Sequence, residues 1–233
     1  MASHFRVEPA TEQDMQRCMQ IFYASFSFVP LMKLFYGDDT AENHAKSAKL
    51  HWQAQTEHVE KYPSVPTVCI KCIYTDPATG EEQIVGYSQW YMFDRIRTEQ
   101  EWAEPVFLDR FSWIPSEGDR EECRGFMKPL QESQRRLLAD TPVGHLRGMC
   151  VDPQFRRRGV GSLLVKWGME QCERLGMPAY LDTSPTGMHM YEKLGFQKMA
   201  NSQYPAMIWW PLPNSNQAPL LPESGIDTHM AEA

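Results

Sequence analysis

No run of apolar residues in this 233-residue chain approaches the ~18–20 needed to cross a bilayer, so no membrane-spanning helix is expected. Basic residues are scarce: 23 Lys and Arg stand against 30 Asp and Glu, a net charge of −7. A surface that grips nucleic acid needs an excess of phosphate-neutralising cations, so that class is set aside and cationic partners fit better. Cysteine is sparse too. The six (Cys18, Cys69, Cys72, Cys123, Cys150, Cys172) are scattered, unlike a disulfide framework. Cys69 and Cys72 have the spacing of half a zinc site or a redox pair. They lie in a β-rich stretch, however, where residues three apart face opposite sides, and no second pair completes a site. No metal is expected. Met1–Arg6 lacks the basic-then-apolar pattern of a leader and the other end lacks a prenylation motif, so the expectation is a cytoplasmic protein.

What is present supports a folded core: 42% of residues are hydrophobic and 12% aromatic. Phe5–Glu8 reads as a strand. Thr11 and Asp14 then mark a helix start, followed by Met15, Cys18, Met19, Phe22 and Phe26 on one face. A second helix is predicted from Thr40 to about Lys61, ended by Pro63 and Pro66. Residues 67–75 and 84–93 read as strands joined through Pro77–Gly80. Residues 94–141 are charged and irregular, with helical character over 119–139 interrupted at Pro129. That insertion is a possible substrate lid, or else a solvated peripheral unit. From 145 the pattern tightens into strand (145–151), helix (162–175), strand (178–182), short helix (186–194) and last strand (203–210). The Pro-rich stretch 211–233 reads as a flexible tail. Residues 4–210 are therefore expected to form one α/β domain.

The most informative segment is Asp152-Pro153-Gln154-Phe155-Arg156-Arg157-Arg158-Gly159-Val160-Gly161-Ser162. A strand runs into a basic, glycine-containing turn that opens a helix, which is an anion cradle. The first helical N–H groups have no carbonyl partner, the helix dipole is positive there, and glycine lets a phosphate approach the backbone. A Walker loop would need Lys after the glycine, and a dinucleotide fingerprint would need a third glycine where Leu164 stands. Both are rejected. The pattern that fits is Arg156-x-x-Gly159-x-Gly161.

With Tyr191-Glu192-Lys193-Leu194-Gly195-Phe196 downstream, this pattern resembles the GCN5-related N-acetyltransferase (GNAT) superfamily. The resemblance covers residues 4–210, closely over 145–199. It implies a GNAT fold: a central, mostly antiparallel twisted sheet of about six to seven strands, mixed in direction and flanked by helices. It also implies acetyl-CoA as co-substrate and direct attack of an amine on the thioester. By resemblance, the pyrophosphate is held by the backbone of Arg156, Arg157, Arg158, Gly159, Val160, Gly161 and Ser162. The pantetheine arm would pair with the backbone of Met149, Cys150 and Val151. Tyr191 would reach the sulfur and protonate the leaving thiolate. Where many relatives carry Asn to bind pantetheine, Ser184 stands here. His145 is the candidate base because imidazole titrates near neutrality and an alkylamine must lose a proton before attack. Its alternation partners would be Arg147, Met149 and Val151.

The acceptor is not written in these motifs. Aromatics at Phe22, Phe26, Phe28, Phe35, Tyr36, Trp90, Tyr91, Trp102, Phe107 and Trp113 suit an apolar or cation-binding pocket, or ordinary core packing. Acidic Asp38, Asp39, Glu42, Glu101, Glu104 and Asp109 suit a cationic amine, or a solvated face. The expected acceptor is the primary amine of a small molecule. A protein or peptide amine (lysine or N-terminus) and a non-catalytic acetyl-CoA sensor stand as alternatives. A monomer or homodimer is expected.

Overall fold

The computed structural model of the chain describes residues 4–26, 29–103, 114, 116–185, 187–200 and 205–211. Phe28, Glu104, Phe107, Asp109, Trp113 and the segment 212–233, all singled out above, lie outside the described residues.

Seven strands form one sheet in the order β1-β2-β3-β4-β5-β7-β6. They are β1 (Phe5–Pro9), β2 (Cys69–Thr75), β3 (Glu82–Phe93), β4 (Val143–Val151), β5 (Ala179–Asp182), β6 (Gln197–Lys198) and β7 (Ala206–Trp209). Every neighbouring pair is antiparallel except β4 and β5, which run parallel. Parallel neighbours need a crossover, and here α6 (Val160–Leu175) supplies it.

Local chemistry sets the helix boundaries. At Thr11 a capping box with Asp14 opens a 3-10 turn, which runs into α1 (Met15–Phe26). A short α2 (Pro30–Tyr36) was not anticipated and starts at a proline, which loses nothing at a first helical position. Thr40 caps α3 (Ala41–Lys61) by accepting from the Asn43 N–H. After α4 (Glu99–Ala103) comes α5 (Glu117–Leu138), capped by Ser116.

The interruption expected at Pro129 does not occur: α5 runs through it. Proline there forfeits one backbone hydrogen bond and costs about 3 kcal/mol. The buried face of Cys123, Met127, Leu130 and Leu138 spans both sides of Pro129 and holds the two halves in line. A last short helix, α7 (Met188–Lys193), follows β5.

The sheet has two covered faces. On one, Met15, Cys18, Met19 and Phe22 of α1 pack with Cys69, Tyr87 and Cys150. On the other, Val160 and Leu164 of α6 pack with Ile70, Cys72 and Val85. Cys69 and Cys72 thus face opposite sides as their spacing requires. Burial pushes both thiols up, Cys69 to about 12 and Cys72 to about 11, so they behave as small apolar residues. Gly168 lets α6 lie directly on β3, because a Cβ there would overlap the Trp90 indole.

Candidate active site

The site begins where β4 and β5 part. Their pairing covers Gly144–Ala179, His145–Tyr180 and Leu146–Leu181 and then stops. Opposite the same place, the β3–β4 register slips: Gln89 pairs with Gly148 and Trp90 with Leu146, leaving Arg147 as an extra residue. Such a bulge bends the strand and re-aims its side chains. Beyond the fork, no strand among the described residues lies beside the β5-facing edge of β4.

The phase of the β3–β4 ladder shows which peptide groups meet that gap. Asp152 N–H donates to the Val85 carbonyl (2.9 Å), so Asp152 and, two residues apart, Cys150 and Gly148 turn their peptides to β3. Met149 and Val151 turn theirs to the gap. The Val151 carbonyl already accepts from Ser25 Oγ (3.2 Å), with Arg156 Nε at 3.4 Å. This corrects the expectation for Cys150: its peptide faces β3 and its side chain is buried against α1.

The predicted loop stands at the end of this gap. Phe155 is buried and anchors a 3-10 turn, while Arg156, Arg157 and Arg158 are exposed. Arg157 has φ +63° and Gly159 φ +88°, two left-handed positions that curl the chain into the start of α6. Gly159 is the N-cap, leaving the amides of Val160, Gly161 and Ser162 without helical acceptors. Val160 itself is buried, so only its backbone can serve a ligand. A Cβ at Gly161 would press on Met190 Sδ at 3.1 Å and Met149 Cε at 3.5 Å.

Beside the fork lies a cavity of about 520 Å³. Its sheet side is Leu146, Arg147, Gly148 and Met149, and its β5–α7 end is Asp182, Thr183, Ser184, Gly187 and Tyr191. The opposite side is aromatic and apolar: Phe22 and Phe26 of α1, Phe35 and Tyr36 of α2, and Phe126, Met127 and Leu130 of α5. A smaller annex shares Phe22, Phe26, Met32 and Tyr36 with it and adds Lys33, Asp38 and Asp39. Trp90 is not at this site; it is fully buried under α6.

Tyr191 is 7% exposed and packs edge-on against Phe196. Burial pushes its phenol up to about 12, so at neutral pH it keeps the proton it would have to give. Ser184 joins it at the cavity, and its carbonyl accepts the Gly187 N–H at 2.9 Å.

His145 does not join them. It lies one pair before the fork, where β4 is still bonded to β5, and lines a smaller pocket with Arg97, Trp102, Gln131, Gln134 and Arg147, the last of which also lines the large cavity. Its ring stacks edge-on against Tyr180. Burial, reinforced by Arg147 and Arg97, holds its pKa well below the usual histidine value, so it stays neutral. The expected alternation also breaks at the bulge: Met149 and Val151 pack with the α6 side of the sheet, whereas His145 lies under α5. The histidine expected as base is thus placed outside the large cavity. His189 is exposed.

Two charged groups that motif spacing did not single out stand at the fork instead. Arg147 and Asp182 are the first residues beyond the last β4–β5 pair, one on each strand. Asp182 accepts Tyr180 Oη–H (2.7 Å) on Oδ1 and Gln134 Nε2–H (2.7 Å) on Oδ2, with His145 Nε2 at 3.8 Å. Among the described residues no group of histidine, cysteine and carboxylate side chains is arranged to hold a metal.

A family model for the acetyltransferase (GNAT) family matches residues 44–196. The chain belongs to this family. Enzymes of this family in general use acetyl-CoA as co-substrate. A curated relative, "Probable acyltransferase SID5" from Ajellomyces capsulatus, is 42% identical over 45 residues, covering 19% of this chain and 33% of that protein. The chain therefore spans about a third of the length of this curated relative. Among solved structures, an agmatine N-acetyltransferase superposes with TM-score 0.57 at 17% identity, covering 89% of this chain and all of that one. A mosquito arylalkylamine N-acetyltransferase-like protein gives 0.56 at 14% identity, covering 88% and 99%. The polyamine N-acetyltransferase of Drosophila melanogaster, which forms N-acetylagmatine, gives 0.55 at 15%, covering 88% and 99%. These likenesses establish the GNAT fold expected from the loop and the tyrosine motif.

Proposed function

We propose that this GNAT enzyme transfers the acetyl group of acetyl-CoA to the primary amine of a small molecule held in the 520 Å³ cavity. The observation that carries the reading is the fork. One edge of β4 presents the peptides of Met149 and Val151 to a gap that ends at the arginine–glycine loop and opens beside Tyr191. An extended pantetheine arm would add to that edge as a strand, leaving its pyrophosphate at the amides of Val160, Gly161 and Ser162. The co-substrate supplies an activated thioester. The chain's part is to fix it, exclude water with the aromatic wall, and give the departing thiolate a proton from the Tyr191 hydroxyl.

A cavity of this size, walled by α1, α2 and α5, suits an acceptor with a compact apolar or aromatic body better than a protein segment. The likeness to acetyltransferases of agmatine, polyamines and arylalkylamines supports the same reading. Within 94–141, the α5 face bearing Phe126, Met127 and Leu130 would act as the acceptor-side cover. A cytoplasmic location and a monomeric or dimeric state belong to this proposal.

Calorimetric titration with acetyl-CoA tests it. The parent chain should bind, and Gly161→Asp, which forces a charged side chain in at the helix start against Met190, should not. Undiminished binding by that variant would remove the loop assignment. Thiol release from acetyl-CoA across a panel of small amines then reads turnover. Release with lysine peptides but with none of the small amines would reassign the acceptor.

A further inference from the structure

We infer that Asp182 is the group that removes the proton from the acceptor ammonium. This rests on the acetyl-CoA-to-amine reading above.

Among the described residues lining the large cavity, Asp182 is the one carboxylate. Its position is special. β5 bonds to β4 only as far as Leu181, so Asp182 is the first β5 residue past the fork, at the same end of the cavity as Tyr191. An acceptor nitrogen must come to this end, because the proton donor for sulfur and the gap for the pantetheine arm both meet here.

The carboxylate is also held in place. Tyr180 donates to one oxygen and Gln134 to the other, each at 2.7 Å, which fixes the plane of the group. Each oxygen keeps a further lone pair. The charged and titratable groups facing it are Tyr180 on its own strand, His145 and Arg147 from β4, and Tyr191 from the same end of the cavity. His145 stays neutral, so Arg147 is the cation that acts on the carboxylate. Burial outweighs Arg147 and both hydrogen bonds and raises the Asp182 pKa above the ordinary aspartate value. A carboxylate so destabilised is a stronger base than one in water.

The other basic candidates fit less well. His145 lines the smaller pocket and not the large cavity. His51 lines the cavity, but from α3, with Nδ1 3.3 Å from Tyr87 Oη, away from the β5–α7 end.

The proton balance closes without another reactant. One proton moves from the ammonium nitrogen to an Asp182 oxygen, freeing the nitrogen lone pair. The nitrogen–carbon bond forms and the carbon–sulfur bond breaks with its electron pair going to sulfur. Tyr191 Oη gives sulfur a proton and regains one from the new amide nitrogen. Asp182 releases its proton to solvent. The sum is an amide, a thiol and one proton.

Two acceptors of nearly the same shape separate this role from a structural one: 2-phenylethylamine, an ammonium ion at neutral pH, and O-benzylhydroxylamine, already neutral there. In Asp182→Asn, which keeps an oxygen for Tyr180 while Gln134 turns its amide, kcat/KM for phenylethylamine should fall about 10²–10³-fold. It should recover about tenfold per pH unit as the free amine appears, while O-benzylhydroxylamine is acetylated almost as by the parent. Equal loss for both acceptors, or a pH-dependent loss confined to His51→Gln, would overturn the assignment. A readout independent of any acceptor is the ¹³C carboxyl titration of Asp182 in the full chain. Titration in the ordinary aspartate range would overturn it equally. Failure of the parent to bind acetyl-CoA would instead sink the proposed function, so the two ideas fail separately.

Discussion

The two sides of the cavity are made of different material. On the sheet side, the strand edge and the loop offer backbone: the peptides of Met149 and Val151 and the amides that follow Gly159. On the opposite side, α1, α2 and α5 offer side chains, chiefly Phe22, Phe26, Phe35, Tyr36 and Phe126. A backbone surface is common to any residue that can adopt the conformation. It therefore suits a co-substrate shared across a whole family. A side-chain surface is rewritten by each substitution and suits an acceptor that differs between members. The line between the two runs through the fork, where Arg147, Asp182 and Tyr191 meet.

The largest effects should come from the groups on that line. Tyr191→Phe keeps the ring against Phe196 and removes only the hydroxyl. Its kcat should fall about 10²-fold or more, with acetyl-CoA affinity unchanged in a titration. A variant as fast as the parent would move the proton donor elsewhere and dissolve the boundary. On the backbone side, Gly159→Val asks a β-branched residue to adopt φ +88°. It should lose co-substrate binding although a Cβ there would meet no atom within 4 Å. Conformation, not space, is what this position requires.

This contrast also explains what could be read in advance. The loop, its helix and the Tyr191 motif are local: glycines at a tight turn and a tyrosine at a fixed distance carry their meaning within a few residues. The start of α3 at Thr40 is legible for the same reason. The orientation of β4 is not local. Which of its peptides face the gap depends on the register with β3 and on the extra residue at Arg147, neither of which a strand pattern reveals. That is why Cys150, which the resemblance implies as a backbone ligand, faces β3 instead. His145 stands on the strand that leads into the loop, but the fork opens only at Arg147, two residues later. Asp182 carries no local mark, because its significance lies in where β5 leaves β4, a tertiary fact.

A middle-sized effect concerns what holds the side-chain wall to the sheet. His58 of α3 is buried, and its Nε2 accepts the Met92 N–H of β3 at 2.9 Å. Burial lowers its pKa to about 4 from an unfolded value of 6.5. Between those values the unfolded chain binds a proton that the folded chain refuses. Stability should therefore fall as pH drops from about 6.5 to about 4 and level off below, by up to ~3 kcal/mol. Urea unfolding of the parent and His58→Gln across that range reads this directly. A variant with the same pH slope as the parent would place the titration on another group.

On the acceptor wall the expected changes are smaller and one-sided. Tyr36 lines both the cavity and its acidic annex, and burial pushes its phenol up to about 12, so it contributes as a neutral ring. Tyr36→Leu should alter KM for aromatic amines by about tenfold, the worth of ~1.4 kcal/mol of lost ring contact, and leave acetyl-CoA binding alone. A fall in co-substrate affinity instead would mean that the two sides are not independent.

The smallest effect tests the backbone side at its most side-chain-like point. Arg157 is exposed and holds φ +63°, a left-handed conformation that costs an L-residue ~1–2 kcal/mol. Arg157→Gly relieves that strain but gives the unfolded chain more freedom, so the two contributions oppose and the net change in stability should be small. What the substitution removes is one positive charge beside the amides of α6. Acetyl-CoA affinity should drop only a few-fold, and the difference from the parent should shrink as salt is raised, because an exposed charge acts through screened solvent. A loss as deep as that of Gly159→Val, persisting at high salt, would mean that the guanidinium makes a fixed, desolvated contact. The cradle would then depend on its side chains as much as the aromatic wall does.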